Sequence, residues 1–120
     1  MVLADTSVWV DHFHQASVKL AALLDDGEVA IHPFVIGELA CGNLTNRTEI
    51  LSLLHSLPAV ARVEDDEALF FIERHSLAAR GLGLVDVHLL ASSRMTGDPL
   101  WTKDKRLMAV AAELGLDFRP

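Results

Sequence analysis

The chain has 120 residues, is 51% hydrophobic with mean hydropathy +0.31, and carries a formal charge of −7. That length gives one domain over residues 1–120, with enough apolar material for a core, and excludes intrinsic disorder. The charge excludes a nucleic-acid binder working by bulk positive potential, and no apolar run approaches the roughly 18 residues of a membrane span.

The N-terminal run Met1-Val2-Leu3-Ala4-Asp5 is bounded by Thr6-Ser7 and reads as a buried strand over residues 2–5. A short helix over 6–12, begun by Thr6 or Ser7, is expected next. Residues 16–25 follow as a helix with Val18, Leu20, Ala21, Leu23 and Leu24 on one broad face. Asp26-Gly27 stops it, and Val29-Ala30-Ile31-His32 reads as a second strand. Pro33 suits the first turn of a helix running to about Gly42. A helix over 46–56 ends at Pro58, and a short strand over 59–63 is expected after it. Helices over 65–80 and 85–96 are separated by Gly81 and Gly83. Gly97-Asp98-Pro99 introduces a strand at Leu100-Trp101-Thr102, and a helix over 104–114 is stopped by Gly115, with an edge strand expected at 116–118. Strands alternating with helices imply crossovers and a mainly parallel sheet.

Four acids stand out. Asp5 and Asp104 follow strands, so a parallel sheet projects both from the edge where sites form. Glu38 lies one turn from Phe34, Val35 and Cys41, on an apolar stripe expected to face inward. Asp86 follows a glycine-broken loop and is overlooked by Leu89 and Leu90. Each aspartate alone is as readily a helix cap as a ligand, and Glu38 could be a buried ion-pair partner. Four separate innocent explanations are less economical than one site. Crowded carboxylates repel and favour a divalent cation, and hard Mg2+ or Mn2+ prefers oxygen ligands. The fitting chemistry is metal-assisted phosphodiester hydrolysis.

Taken in order, Leu3-Ala4-Asp5-Thr6-Ser7-Val8-Trp9, Gly37-Glu38-Leu39-Ala40-Cys41-Gly42-Asn43, Gly83-Leu84-Val85-Asp86-Val87-His88-Leu89-Leu90-Ala91 and Leu100-Trp101-Thr102-Lys103-Asp104-Lys105-Arg106-Leu107 resemble a PIN domain. More narrowly, they resemble a VapC-type ribonuclease toxin of a toxin–antitoxin pair. The resemblance implies a PIN-like three-layer α/β/α sandwich and Mg2+- or Mn2+-dependent cleavage of RNA. It implies Asp5, Glu38, Asp86 and Asp104 as catalytic acids, with Asp5, Asp86 and Asp104 as metal ligands. Thr102 is expected to hold the first carboxylate or a water, with Thr6 as a second supporting hydroxyl. A homodimer and a cognate antitoxin that blocks the site are also implied, while the single cysteine, Cys41, fits a reducing cytoplasm.

Two rivals remain at this point. A phosphatase or phosphotransferase would use Asp5 as nucleophile, but Ser7 stands where a second acid is wanted. A non-catalytic binding module would not need all four acids. The six histidines show no i, i+4 pair, so zinc is not expected. Cys41 reads as a small buried residue, Trp9, Phe13 and Trp101 as core or interface, and Asp65-Asp66-Glu67 as a helix start. Arg80, Arg94, Lys103, Lys105 and Arg106 are candidates for phosphate contact against a default of solvated surface.

Overall fold

The computed structural model describes residues 1–120. Strand β1 (Val2–Ala4) leads into helix α1 (Thr6–His14), followed by α2 (Val18–Asp25), β2 (Val29–Ala30), α3 (Pro33–Cys41) and α4 (Arg47–Ser56). Helices α5 (Asp65–Arg74) and α6 (Leu84–Thr96) precede β3 (Leu100–Trp101) and α7 (Lys105–Glu113). The strand order is β2-β1-β3, and both pairings are parallel. Every strand residue is buried, which happens only when both faces of a sheet are covered. The architecture is therefore the expected α/β/α sandwich.

The register decides where the acids go. Leu3 pairs with Leu100 and Ala4 with Trp101, and the Asp5 N–H donates to the Trp101 carbonyl at 2.8 Å. Residues 5 and 102 therefore leave the sheet side by side at its carboxyl edge. Gly97, in the left-handed region at φ 78°, ends α6 and turns the chain into β3. Helix α1 packs on α3 and α3 on α4, while α5 packs on α6 and α6 on β3. One core of 26 buried apolar residues runs through these layers, with Leu3, Trp9, Leu20, Leu54, Leu89 and Leu107 fully enclosed.

Several boundaries differ from expectation. The strands expected at 59–63 and 116–118 are single bridges, Ile31 to Ala59 and Leu100 to Asp117, too short to form ladders. The helix expected over 65–80 stops at Arg74, because Ser76 and Ala79 take left-handed conformations (φ 53° and 61°) that fold buried Leu77 back onto the core. Val18 is 86% exposed, since as the first residue of α2 it precedes the inward face that Leu20 begins. Cys41 is exposed in the last turn of α3, not buried. Trp9 and Trp101 are core residues as expected.

Helix α3 begins with an unusual cap. The ring of fully buried His32 accepts the Phe34 N–H on Nδ1 at 2.9 Å, and Pro33 follows at the first helical position. Burial, then neighbouring His88 and Arg62, push the His32 imidazole down to about 4. Its folded value lies below its unfolded value, so it supports folding above about pH 6.5 and that support is lost as pH falls toward 4. We expect urea-unfolding stability to drop by up to roughly 3 kcal/mol over that window. His32→Gln should flatten the profile; an unchanged pH dependence would refute the assignment.

Candidate active site

Asp5 is the most enclosed of the four acids, at 6% exposure. It occupies the position before α1, yet its side chain does not cap that helix. Its Oδ2 instead accepts two hydroxyls, Thr102 Oγ1 at 2.6 Å and Ser7 Oγ at 2.8 Å. Those hydroxyls in turn accept backbone N–H groups from the turn after β3: Thr102 from Asp104 at 3.1 Å and Ser7 from Lys103 at 3.0 Å. The carboxylate is thus locked to both strand ends while Oδ1 takes no hydrogen bond within the chain. The cap reading fails for Asp5.

Asp104 does cap. Its Oδ1 accepts the N–H groups of Arg106 and Leu107 at 2.9 and 3.1 Å, and its second oxygen is free. Asp86 sits in the first turn of α6, half-buried, and accepts the Gly83 N–H on Oδ2 at 2.9 Å. Glu38 requires a correction. It is exposed, because Val35 and Leu39 form the inward stripe of α3 and Glu38 lies beside it, facing α1. There Thr6 Oγ1 donates to Glu38 Oε1 at 2.6 Å and fixes it.

Asp86 lies within electrostatic reach of the other three acids. Burial raises the Asp86 carboxyl above the ordinary range, the Gly83 N–H opposes this, and the charges of Asp5, Asp104 and Glu38 push it further up. None of the four has a basic partner within ion-pair distance, since the ion pairs of the chain involve other acids. No three His, Cys, Asp or Glu side chains converge closely enough to enclose an ion unaided. That arrangement fits a hard, hydrated cation, which binds through one or two carboxylates and keeps several waters. It does not fit a dehydrated ion in a closed cage.

Ser7 is the member of this hydrogen-bonded arrangement that the sequence alone does not single out. Its signal was the hydroxyl two positions after an acid at a strand end. Thr102 donates to the same Asp5 oxygen, and its removal is testable. Thr102→Val keeps the shape but takes a donor from a buried carboxylate, which should cost about 1–3 kcal/mol in urea unfolding at neutral pH. An unchanged midpoint would show that the bond contributes nothing.

A cleft of about 690 Å³ opens from the Thr6–Glu38 edge of the site and runs over Val10, Phe13, Leu39 and Ile50, between α1, α3 and the loop before α4.

Comparison with known proteins gives a consistent answer. The PIN domain profile matches residues 2–113. Ribonuclease VapC32 of two Mycobacterium tuberculosis strains is 46% identical over 117 residues, covering 97% of this chain and 94% of that protein. Among solved structures, PAE2754 from Pyrobaculum aerophilum superposes with a TM-score of 0.62 at 21% identity, covering 91% of this chain and 78% of that one. FitAB bound to an IR36 DNA fragment gives a TM-score of 0.58 at 15% identity, covering 93% and 91%. These two structures share the fold. With a profile match across nearly the whole chain and a relative at 46% identity, the chain belongs to the PIN-domain family, in its VapC branch.

Proposed function

We propose that the chain is the toxin of a toxin–antitoxin pair, an endoribonuclease that hydrolyses RNA phosphodiesters with Mg2+ or Mn2+. The observation that carries this reading is the gathering of Asp5, Glu38 and Asp104 around Asp86, whose carboxyl they help push up, with no basic partner for any of the four. Near-full-length likeness to a ribonuclease supports the RNA substrate.

Asp5, Asp86 and Asp104 would hold the cation, one or two of them directly and the rest through its waters, and Glu38 would orient the attacking water from the α1–α3 side. When bound, the cation supplies water activation and screens charge developing on phosphorus. Ser7 and Thr102 keep Asp5 from rotating, so Oδ1 stays presented to the site. Thr6 does the same for Glu38. Asp104 keeps one oxygen for the site while the other holds α7 in place. Asp86, with its raised carboxyl, is the acid most relieved by a positive charge.

The cleft beside Glu38 suits an antitoxin segment, because an apolar stretch laid on Val10, Phe13 and Leu39 would bring an adjoining basic side chain to the acids. A homodimer is supported by the α5–α6 face. Phe70 is 69% exposed there and Met95 53%, flanked by Asp66, Glu67 and Arg94, which could pair across a two-fold axis. The continuous core supports one domain. No helix is long and apolar enough to cross a membrane, and we read the location as cytoplasmic.

The test is cleavage of total bacterial RNA by the purified, partner-free protein. Cleavage should require added Mg2+ or Mn2+ and stop with EDTA. Cleavage that persists in EDTA would sink the metal reading, and release of phosphate from small phosphomonoesters in place of RNA cleavage would favour a phosphatase.

A further inference from the structure

An enzyme with a net charge of −7 and four uncompensated acids must still hold a polyanion. Most basic side chains that could help are already engaged. Lys103 Nζ is 2.7 Å from Asp11, and Arg80 makes a two-pronged pair with Glu113 at 2.8 and 3.0 Å. Arg47 donates to the Ala40 carbonyl at 2.6 Å, and Arg62 lies over the Phe34 ring at 4.6 Å.

Arg106 differs. Its backbone N–H donates to Asp104 Oδ1 at 2.9 Å, which places it in the first turn of α7 beside the fourth acid. Its side chain then runs against the backbone at Gly81. A Cβ at Gly81 would lie 2.7 Å from Arg106 Cδ, 3.0 Å from Nη1 and 3.1 Å from Nε. Gly81 has φ 80°, a conformation that glycine adopts freely. Two residues on, the Gly83 N–H holds Asp86. The guanidinium is therefore stationed between the Asp104 turn and the loop that supports Asp86. It is exposed, and it has neither an ion pair nor a side-chain hydrogen bond. A planar fork, confined on one side by backbone and free on the other, matches a phosphate.

We propose that Arg106, held in place by the missing side chain at Gly81, grips a backbone phosphate of the RNA at the rim of the acid cluster. The assignment rests on the ribonuclease reading and adds the residue that positions the substrate. Arg106 acts on binding, so its loss should appear in KM and in salt dependence more than in kcat. Gly81→Ala would strain a backbone at φ 80° beside the loop that holds Asp86 as well as crowd the arginine, so the Arg106 substitutions carry the test.

The experiment uses the full chain and total bacterial RNA. Arg106→Ala should raise the apparent KM roughly tenfold and lower the logarithmic salt slope by about 1. Arg106→Lys should keep the salt slope while recovering only part of the KM. Thermal melts of the variants check that folding is intact. An Arg106→Ala enzyme with unchanged KM and salt slope overturns the proposal. A second measurement does not need cleavage: the Arg106 Nε–H resonance of ¹⁵N-labelled Asp5→Asn protein should shift on adding the same RNA. No shift overturns the phosphate contact whatever the activity. A shift in a protein whose wild-type form cleaves no RNA supports the contact and rejects the ribonuclease reading.

Discussion

Asp5→Asn should leave a folded protein that no longer cuts RNA. The substitution keeps the shape and one carbonyl oxygen, so Ser7 and Thr102 retain an acceptor. What disappears is the charge on the oxygen turned toward the site. Loss of a ligand carboxylate at a metal-dependent centre should lower the cleavage rate by about 10³-fold or more, on the order of 4 kcal/mol of transition-state stabilisation. Asp5 is expected to be the most sensitive of the four acids, because it alone is buried and locked to both strand ends. Growth inhibition by the chain expressed without its antitoxin should vanish with the same change. The readouts are initial cleavage rate and colony formation on induction, with circular dichroism to confirm the fold. A variant that stays equally toxic would remove Asp5 from the mechanism.

Asp86→Asn should separate stability from activity. Burial and three neighbouring charges hold the Asp86 carboxyl above its ordinary range. The folded state therefore binds this proton more tightly than the unfolded state does. The group favours folding most at low pH, and that support is lost as pH rises through the folded value. At neutral pH without a cation the charge opposes folding. Asp86→Asn should then stabilise the metal-free protein, by on the order of 1 kcal/mol, or about 4 °C in melting temperature. Added Mn2+ should reverse the order, since binding to the native state alone raises its stability and the variant binds weakly. With Mn2+ present, cleavage should be lost in the variant. A metal-free variant less stable than the parent would mean that the Gly83 contact outweighs the repulsion.

The pairing of Asp5 with Asp104 was legible because topology dictates it. Two strand ends in a parallel sheet share an edge, and Ala4 does face Trp101. Asp86 was legible from the glycines before it and the leucines after it. Glu38 was found for a partly mistaken reason. Helical spacing placed it on the apolar stripe, but at 100° per residue the buried line through Val35 and Leu39 passes just beside it. Its contact with Thr6 spans 32 positions, and no local pattern could reveal that. Cys41 was misplaced because periodicity carries no information about where a helix leaves the core. The short outer strands failed for a related reason: apolar composition marks burial, but whether a ladder forms depends on neighbours distant in sequence. Ser7 was hidden by its ordinary role as a helix-start residue. Its second bond, to the turn after β3, exists only in three dimensions.

These threads meet in one proposed claim, that Asp5, Asp86 and Asp104, from three separate parts of the chain, hold one hydrated cation with Glu38 beside it. A titration of the metal-free protein with Mn2+, followed by the electron paramagnetic resonance of free ion, tests it most directly. The account expects saturable binding that weakens at least tenfold in Asp5→Asn and in Asp86→Asn, with the fold intact. Binding of equal strength in the parent and both variants would place the cation elsewhere and contradict the account.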